Sequence, residues 1–145
     1  MVMSNTALQG SQQTVLVVDD DEFSREVLRK KLNFWGVTDI HMAHDGSDGL
    51  DVLNAMACAP DFLICDIFMP DMDGIEFIGE LAKREFKGAL ILVTGVNRDM
   101  LEVAESMATM KGLRVLGTFI KPLHYEPLGQ VLGFSTASEQ KHDPK

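Results

Sequence analysis

Short apolar runs recur along the chain and predict five β-strands. Each run is four to eight residues long, the length of an ordinary strand. The first, third and fourth runs are continuous in aliphatic residues, which is typical of strands covered on both faces in a parallel sheet. The second run alternates more, which places it nearer a sheet edge. The predicted strands are Val15–Val18, Val37–Ala43, Phe62–Cys65, Ala89–Val93 and Leu113–Ile120.

Segments with helical periodicity follow these runs and predict five α-helices. Their apolar residues recur every three or four positions, as on the buried face of an amphipathic helix. Glycine or proline ends each of the first four segments, which is a common stop signal for helices. The apolar faces run from Phe23 to Trp35, from Leu50 to Ala57, from Ile75 to Phe86, from Met100 to Met107 and, after Pro122, through Leu128 to Leu132.

Strand and helix therefore alternate five times. This order predicts an α/β fold, a doubly wound five-stranded parallel sheet with right-handed crossovers and helices on both faces. The predicted domain covers residues 14–133. The polar segments 1–13 and 134–145 are predicted to be flexible tails, the second of them a tail or a linker. Ligands in such folds bind outside the carboxyl ends of the strands.

Composition narrows the choice of partners. The 145 residues suffice for one domain, and 22 acidic against 13 basic residues give a net charge of -9. This charge argues against a protein that coats nucleic acid or an anionic membrane. No apolar run approaches the roughly 18 residues of a membrane helix. Cys58 and Cys65 lie in apolar stretches and are predicted to be buried free thiols, which suits a reducing cytoplasm.

Polar residues stand where four of the predicted strands end. Asp19 and Asp20 follow the first strand, Asp66 the third, Thr94 the fourth and Lys121 the fifth. Crowded carboxylates repel one another, and a divalent cation relieves that repulsion. Carboxylate oxygens suit Mg²⁺. Carboxylates with Mg²⁺, a lysine and a hydroxyl group indicate a phosphoryl site.

Four motifs resemble those of the receiver domain of two-component response regulators. They are VLVVDDDEFSR at 15–25, LICDIFMPDMDG at 63–74, LILVTG at 90–95 and FIKP at 119–122. They stand in the order of that family, and the resemblance covers residues 14–133. It implies a CheY-like, flavodoxin-like (βα)5 fold and a switch in a phosphorelay rather than a conventional enzyme.

The resemblance also implies roles for the residues at the strand ends. Asp66 would accept a phosphoryl group. Asp20 and Asp66 would bind Mg²⁺, or Mn²⁺ in its place, with the backbone carbonyl of Phe68 as a third ligand. Asp19 would hold a metal-bound water. Lys121 would pair with Asp66 and then with the phosphoryl oxygens.

The remaining implied roles concern the loops. Thr94 would hydrogen-bond the phosphoryl group and draw its loop inward. Pro70 and Gly74 would shape the loop after the acceptor, and Pro122 would follow a cis peptide bond.

Two side chains are predicted to prolong the phosphorylated state. They are Phe68 and Val96, which stand two residues after Asp66 and Thr94. Neither offers a hydrogen bond to a water attacking in line, whereas many receivers carry a polar group at one of these positions. We therefore expect slow hydrolysis.

A phosphorelay implies a sensor histidine kinase or a phosphotransfer protein as the donor. The signal would leave through the fourth helix, fifth strand and fifth helix, about residues 97–132. The signal would pass to an output protein or to a C-terminal output domain outside this chain, and the chain could also form a homodimer.

The stretch GLRVLGTFIKP at 112–122 also resembles receivers attached to EAL-type phosphodiesterase domains. No nucleic acid or membrane is expected as a direct partner, and the expected location is the cytoplasm.

One position departs from the family pattern. Receivers usually carry Tyr or Phe three residues before the lysine, and this chain has Thr118 there, followed by Phe119. Neighbouring residues of a strand point to opposite faces. Phe119 is therefore not expected to take over the role of the usual aromatic ring.

A second interpretation belongs to another class of protein. The sequence from Asp19 to Asp21 after a strand resembles the nucleophile motif of haloacid-dehalogenase-type Mg²⁺ phosphatases. Asp19 would then attack, Asp21 would act as acid and base, and Thr94 and Lys121 would complete the site. This leaves Asp66 without a role. On the receiver interpretation, Asp21 instead caps the first helix.

Overall fold

The strands form a single parallel sheet in the order β2-β1-β3-β4-β5. The computed structural model describes residues 13–69, 72, 74–95 and 98–134. Pro70, Val96 and most of both predicted tails lie outside the described residues. The elements are β1 (Thr14–Val18), α1 (Glu22–Phe34), β2 (Asp39–Ala43), α2 (Gly46–Ala55), β3 (Phe62–Asp66), α3 (Gly74–Lys83), β4 (Ala89–Thr94), α4 (Arg98–Met110), β5 (Arg114–Ile120) and α5 (Tyr125–Leu132).

The predicted α/β fold is confirmed, although some element boundaries differ from the prediction. The helix α2 begins at Gly46, four residues before the predicted apolar face, because its first turn is polar and Asp45 caps it by accepting the Asp48 N–H at 2.8 Å. The strand β2 begins at Asp39 rather than Val37. Val37 is buried, but it lies in the connection between α1 and β2.

Two apolar clusters cover the two faces of the sheet. Along β1, Leu16 and Val18 pack into the cluster under α2, α3 and α4, whereas Val15 and Val17 pack into the cluster under α1 and α5. All four side chains are at most 1% exposed. This two-sided burial explains why the strand is a continuous aliphatic run rather than an alternating one.

The end of β5 keeps the alternation that was expected. Phe119 packs against the α1/α5 cluster, and Ile120 packs against the opposite one. Phe119 therefore does not share a face with Thr118, and a bulge between Leu90 and Ile91 in the pairing with β4 precedes this segment. The partly buried aromatic ring at position 119 thus packs on the α1/α5 side of the sheet.

The prediction for the cysteines was half wrong. Cys65 is buried in β3 as predicted, but Cys58 is exposed. Cys58 lies in the connection between α2 and β3, where apolar neighbours do not ensure burial because no element covers that turn. Among the described residues, no helix has both the length and the apolar character needed to span a membrane.

Candidate phosphoryl and cation site

The carboxyl ends of four strands bring the predicted site residues together. Asp66 ends β3 and Thr94 ends β4, whereas Asp19 and Lys121 directly follow β1 and β5. The chain reverses its direction of winding between β1 and β3, since β1 pairs with both β2 and β3. Such a switch point leaves a crevice at the strand ends, where α/β proteins bind their ligands.

Three carboxylates form an acidic cluster in this crevice. One oxygen from each of Asp19, Asp20 and Asp66 lies within 4.8 Å of the others. Asp19 and Asp66 are only 8% and 5% exposed, whereas Asp20 is exposed. Oxygen atoms this close and partly open to solvent fit a small, hard cation such as Mg²⁺, which keeps several waters in protein sites.

Lys121 partly balances this negative charge. Its Nζ atom lies 2.9 Å from Oδ2 of Asp19 and 3.0 Å from Oδ2 of Asp66. Burial alone would lower the pKa of Lys121, but its hydrogen bonds to Asp19 and Asp66 and the charges of these two carboxylates together outweigh burial, so the pKa is raised. The lysine therefore stays charged at neutral pH and can bind an anionic group placed next to Asp66.

Asp66 is held in an environment that resists its ionisation. Its pKa is raised, chiefly by burial and also by the charge of Asp19, despite the opposing effects of the hydrogen bond from the Phe68 N–H and of Lys121. That N–H donates to Oδ1 of Asp66 at 3.0 Å, while Lys121 contacts Oδ2. Both oxygens therefore have a fixed donor, which orients the carboxylate toward the crevice.

The turn between β1 and α1 fixes Asp19 through its backbone and its side chain. The N–H of Asp21 donates to Oδ1 of Asp19 at 2.9 Å, and Arg25 donates from Nη1 to the Asp19 carbonyl oxygen at 2.6 Å. Arg25 was not among the predicted site residues. The signal was present, because Arg25 is the first basic residue after the acidic triplet and lies in the first turns of α1.

Asp21 caps α1, as predicted. Its Oδ2 atom accepts hydrogen bonds from the N–H and the hydroxyl of Ser24, at 3.0 and 2.7 Å. The hydrogen bond from the Ser24 hydroxyl is the largest cause of a lowered pKa at Asp21. Asp21 is thus engaged with the helix N-terminus and is not part of the acidic cluster.

Two loops around the crevice have unusual backbone features at positions that the sequence singled out, a cis peptide bond before Pro122 and a close backbone approach at Gly74. The Lys121–Pro122 peptide bond is cis, and the N–H of Lys121 donates to the carbonyl of Thr94 at 2.8 Å. Gly74 donates its N–H to the carbonyl of Ile67 at 3.0 Å, and a Cβ atom at position 74 would overlap the Ile67 backbone. The Thr94 side chain is fully buried at the end of β4.

Comparisons with known proteins agree with this geometry. The model of the response regulator receiver domain family matches residues 15–132. Response regulator MprA of Mycobacterium avium is 43% identical over 67 residues, which cover 46% of this chain and 28% of that protein. The chain therefore aligns with less than a third of the curated relatives' length.

Solved structures show the same architecture. A response regulator from Colwellia psychrerythraea is 31% identical, with 90% of this chain and 99% of that one covered and a TM-score of 0.72. A chain in the CheX–CheY–BeF3–Mg²⁺ complex from Borrelia burgdorferi is 23% identical, with 83% and 86% covered and a TM-score of 0.71, a likeness in fold.

This chain belongs to the response regulator receiver domain family and is a CheY-like receiver domain of two-component signalling. The phosphatase alternative finds no support. Its proposed acid and base, Asp21, is bound to Ser24, and Asp66 lies in the acidic cluster, where that alternative gives it no role.

Proposed function

We propose that Asp66 is the phosphoryl acceptor and that Asp19, Asp20, Asp66 and the Phe68 carbonyl hold Mg²⁺ beside it, Asp19 through a bound water. The observation that carries this proposal is the convergence of three carboxylates and Lys121 at one crevice. Carboxylate oxygens alone would repel a phosphoryl group. Together with a divalent cation and a lysine they would accept one.

Phosphoryl transfer requires that charge be balanced around the phosphorus. An Asp66 oxygen forms the new P–O bond while the bond to the leaving group breaks and the leaving group departs with its electron pair. The bound cation supplies charge neutralisation at the phosphoryl oxygens. Lys121, now 3.0 Å from Asp66, would follow the transferred group and pair with its oxygens. Mn²⁺ would substitute for Mg²⁺ at the same oxygen ligands.

Thr94 would couple the acceptor to the rest of the chain. Its hydroxyl would hydrogen-bond the phosphoryl group, and its carbonyl already accepts the N–H of Lys121. A movement of Thr94 would therefore reach both α4, which follows β4, and the end of β5. We propose α4, β5 and α5 as the output face.

We also propose the bounds of the domain, the donor of the phosphoryl group and the kind of output. Residues 14–133 would form the receiver domain, and a sensor histidine kinase or a phosphotransfer protein in the cytoplasm would donate the phosphoryl group. The output would be a separate protein or a further domain. The chain acts as a regulatory domain, with no turnover beyond its own phosphorylation and dephosphorylation.

Intact mass measurement after incubation with acetyl phosphate and Mg²⁺ tests the acceptor. We expect one added phosphoryl group that is lost in Asp66→Asn. Asp21→Asn is the matched control, because Asn also caps helices and Asp21 lies outside the acidic cluster. Phosphorylation that persists in Asp66→Asn, or that Asp21→Asn abolishes, would contradict the assignment.

A further inference from the structure

Arg25 lies beside the acidic cluster but does not pair with it. Its Nη1 atom donates to the main-chain carbonyl of Asp19 at 2.6 Å, across six positions of sequence. Within the described part of the chain, it forms no ion pair with a carboxylate. Its charge is nevertheless felt nearby, since it contributes to the lowered pKa of Asp21. The guanidinium thus contacts a backbone carbonyl and not a carboxylate.

The carbonyl that Arg25 holds belongs to the peptide unit between Asp19 and Asp20. A peptide unit is planar, so fixing its oxygen also fixes the direction in which Cα of Asp20 leaves it. Asp20 needs such support, because its side chain is exposed and has no hydrogen-bond partner among the described residues. The side chain of Asp19, in contrast, is fixed by Asp21 and Lys121.

We infer that Arg25 is a positioning residue of the cation site, which orients Asp20 by clamping the Asp19–Asp20 peptide while leaving every carboxylate oxygen of the cluster available. The inference rests on the proposed function, since it assumes that the cluster binds Mg²⁺. An arginine paired directly with Asp20 would compete with the cation for the same oxygen. A backbone clamp avoids that competition.

Charge and clamping predict opposite effects when Arg25 is removed. The positive charge of Arg25 repels a divalent cation, so a purely electrostatic role predicts tighter Mg²⁺ binding in Arg25→Gln. Loss of the clamp predicts weaker Mg²⁺ binding. We expect a loss of about tenfold, which is the lower end of the range seen when groups that orient metal ligands are removed. The sign of the change therefore separates the two roles.

Isothermal titration of Mg²⁺ into the full chain measures that sign. We expect about tenfold weaker binding in Arg25→Gln, and partial recovery in Arg25→Lys, which keeps one donor. Arg29→Gln is the matched control, because Arg29 lies one turn further along α1 and pairs with Glu26. It should bind Mg²⁺ like the native protein. The loss should persist at 1 M NaCl, where the Debye length is about 3 Å.

A double variant tests whether Arg25 acts through Asp20. In the Asp20→Asn background, Arg25→Gln should weaken Mg²⁺ binding much less than it does in the native chain, because coupled residues are not additive. Thermal unfolding in EDTA checks that each variant folds. If Arg25→Gln does not fold, Arg25→Lys replaces it both alone and in combination with Asp20→Asn. Equal or tighter binding in the Arg25 variants, or full additivity with Asp20→Asn, would overturn the inference. If Asp20→Asn itself binds Mg²⁺ like the native chain, the proposed cation site fails instead.

Discussion

Asp66 illustrates how one residue can be costly for the fold and useful for the site. Its carboxylate is 5% exposed and close to Asp19, and its pKa is raised chiefly by burial. A raised pKa means that the folded state holds the proton more tightly than the unfolded chain does. Stability therefore falls as the pH rises from the unfolded pKa through the folded one. At neutral pH the ionised Asp66 therefore lowers the stability of the fold, and a cation bound at the proposed site would offset this effect.

Removal of this charge should stabilise the metal-free protein. We expect Asp66→Asn to have a higher thermal midpoint than the native chain in EDTA at pH 7. The difference should shrink toward pH 4, where Asp66 is increasingly protonated, and should also shrink when Mg²⁺ is added to the native chain. Thermal denaturation followed by circular dichroism at several pH values measures this. A lower midpoint for the variant at pH 7 would contradict the expectation.

Phe68 should set the lifetime of the phosphorylated state. Its side chain is 57% exposed, and its N–H donates a hydrogen bond to Asp66, so Phe68 lies next to the proposed acceptor. A ring there cannot orient an attacking water by a hydrogen bond. We expect Phe68→Asn to lose its phosphoryl group several-fold faster, since a hydrogen bond worth about 1.4 kcal/mol in the transition state gives a factor of ten.

The measurement for Phe68 is the decay of the phosphorylated mass after the donor is removed. Phe68→Leu serves as the control, because it keeps an apolar side chain and should decay at the native rate. Val96→Glu tests the second predicted position in the same way. Unchanged or slower decay in both Phe68→Asn and Val96→Glu would refute the idea that these positions exclude or misorient the water.

At the scale of elements, α3 contains two glycines with opposite surroundings. Gly74 opens the helix against the Ile67 backbone, and a Cβ atom there would overlap it. Gly79 lies in the middle of the same helix with open space around it. The first glycine lets the Ile67 backbone approach the start of the helix closely, whereas the second has no comparable packing reason.

Alanine substitutions should therefore have opposite signs. We expect Gly74→Ala to lose about 1–3 kcal/mol, as overpacked sites do, and to weaken Mg²⁺ binding because the loop after Asp66 shifts. Gly79→Ala should gain up to about 1 kcal/mol from higher helix propensity. Urea denaturation of both variants provides the comparison, and a destabilised Gly79→Ala together with a neutral Gly74→Ala would show that the packing argument is wrong.

The elements also show what a sequence can and cannot predict. Continuous aliphatic runs identified the buried strands because both faces of the sheet are covered, and the polar residues at their ends marked the site. The start of α2 was missed because its first turn is polar and depends on the Asp45 cap. The exposure of Cys58 and the contact between Arg25 and the Asp19 carbonyl depend on which surfaces meet in three dimensions. Local apolar pattern carries no information on such contacts.

Across the whole molecule, the ends of β4 and β5 connect the site with α4 and α5. The ends of β4 and β5 are joined by the hydrogen bond from Lys121 to Thr94. β4 leads into α4, and β5 leads into α5. Thr118, in place of the usual aromatic residue, leaves no ring on its face of β5 to turn inward, because Phe119 packs on the α1/α5 side. A signal from Asp66, the proposed acceptor, would then travel through backbone and packing shifts of these elements.

Phosphorylation should therefore change amide hydrogen exchange in α4, β5 and α5 more than in the rest of the described chain. A phosphoryl group on Asp66 would draw Thr94 and Lys121 toward it, and the backbone hydrogen bond between them would transmit the shift to the starts of α4 and α5. We expect altered exchange within residues 98–132 and little change in β2, which forms the edge of the sheet opposite β5. The comparison is between the chain with and without acetyl phosphate in Mg²⁺, with Asp66→Asn treated identically as the control for effects of the donor itself. Exchange that stays the same across residues 98–132, or that changes equally in Asp66→Asn, would exclude this route and direct attention to the loop after Asp66 as the surface that partners recognise.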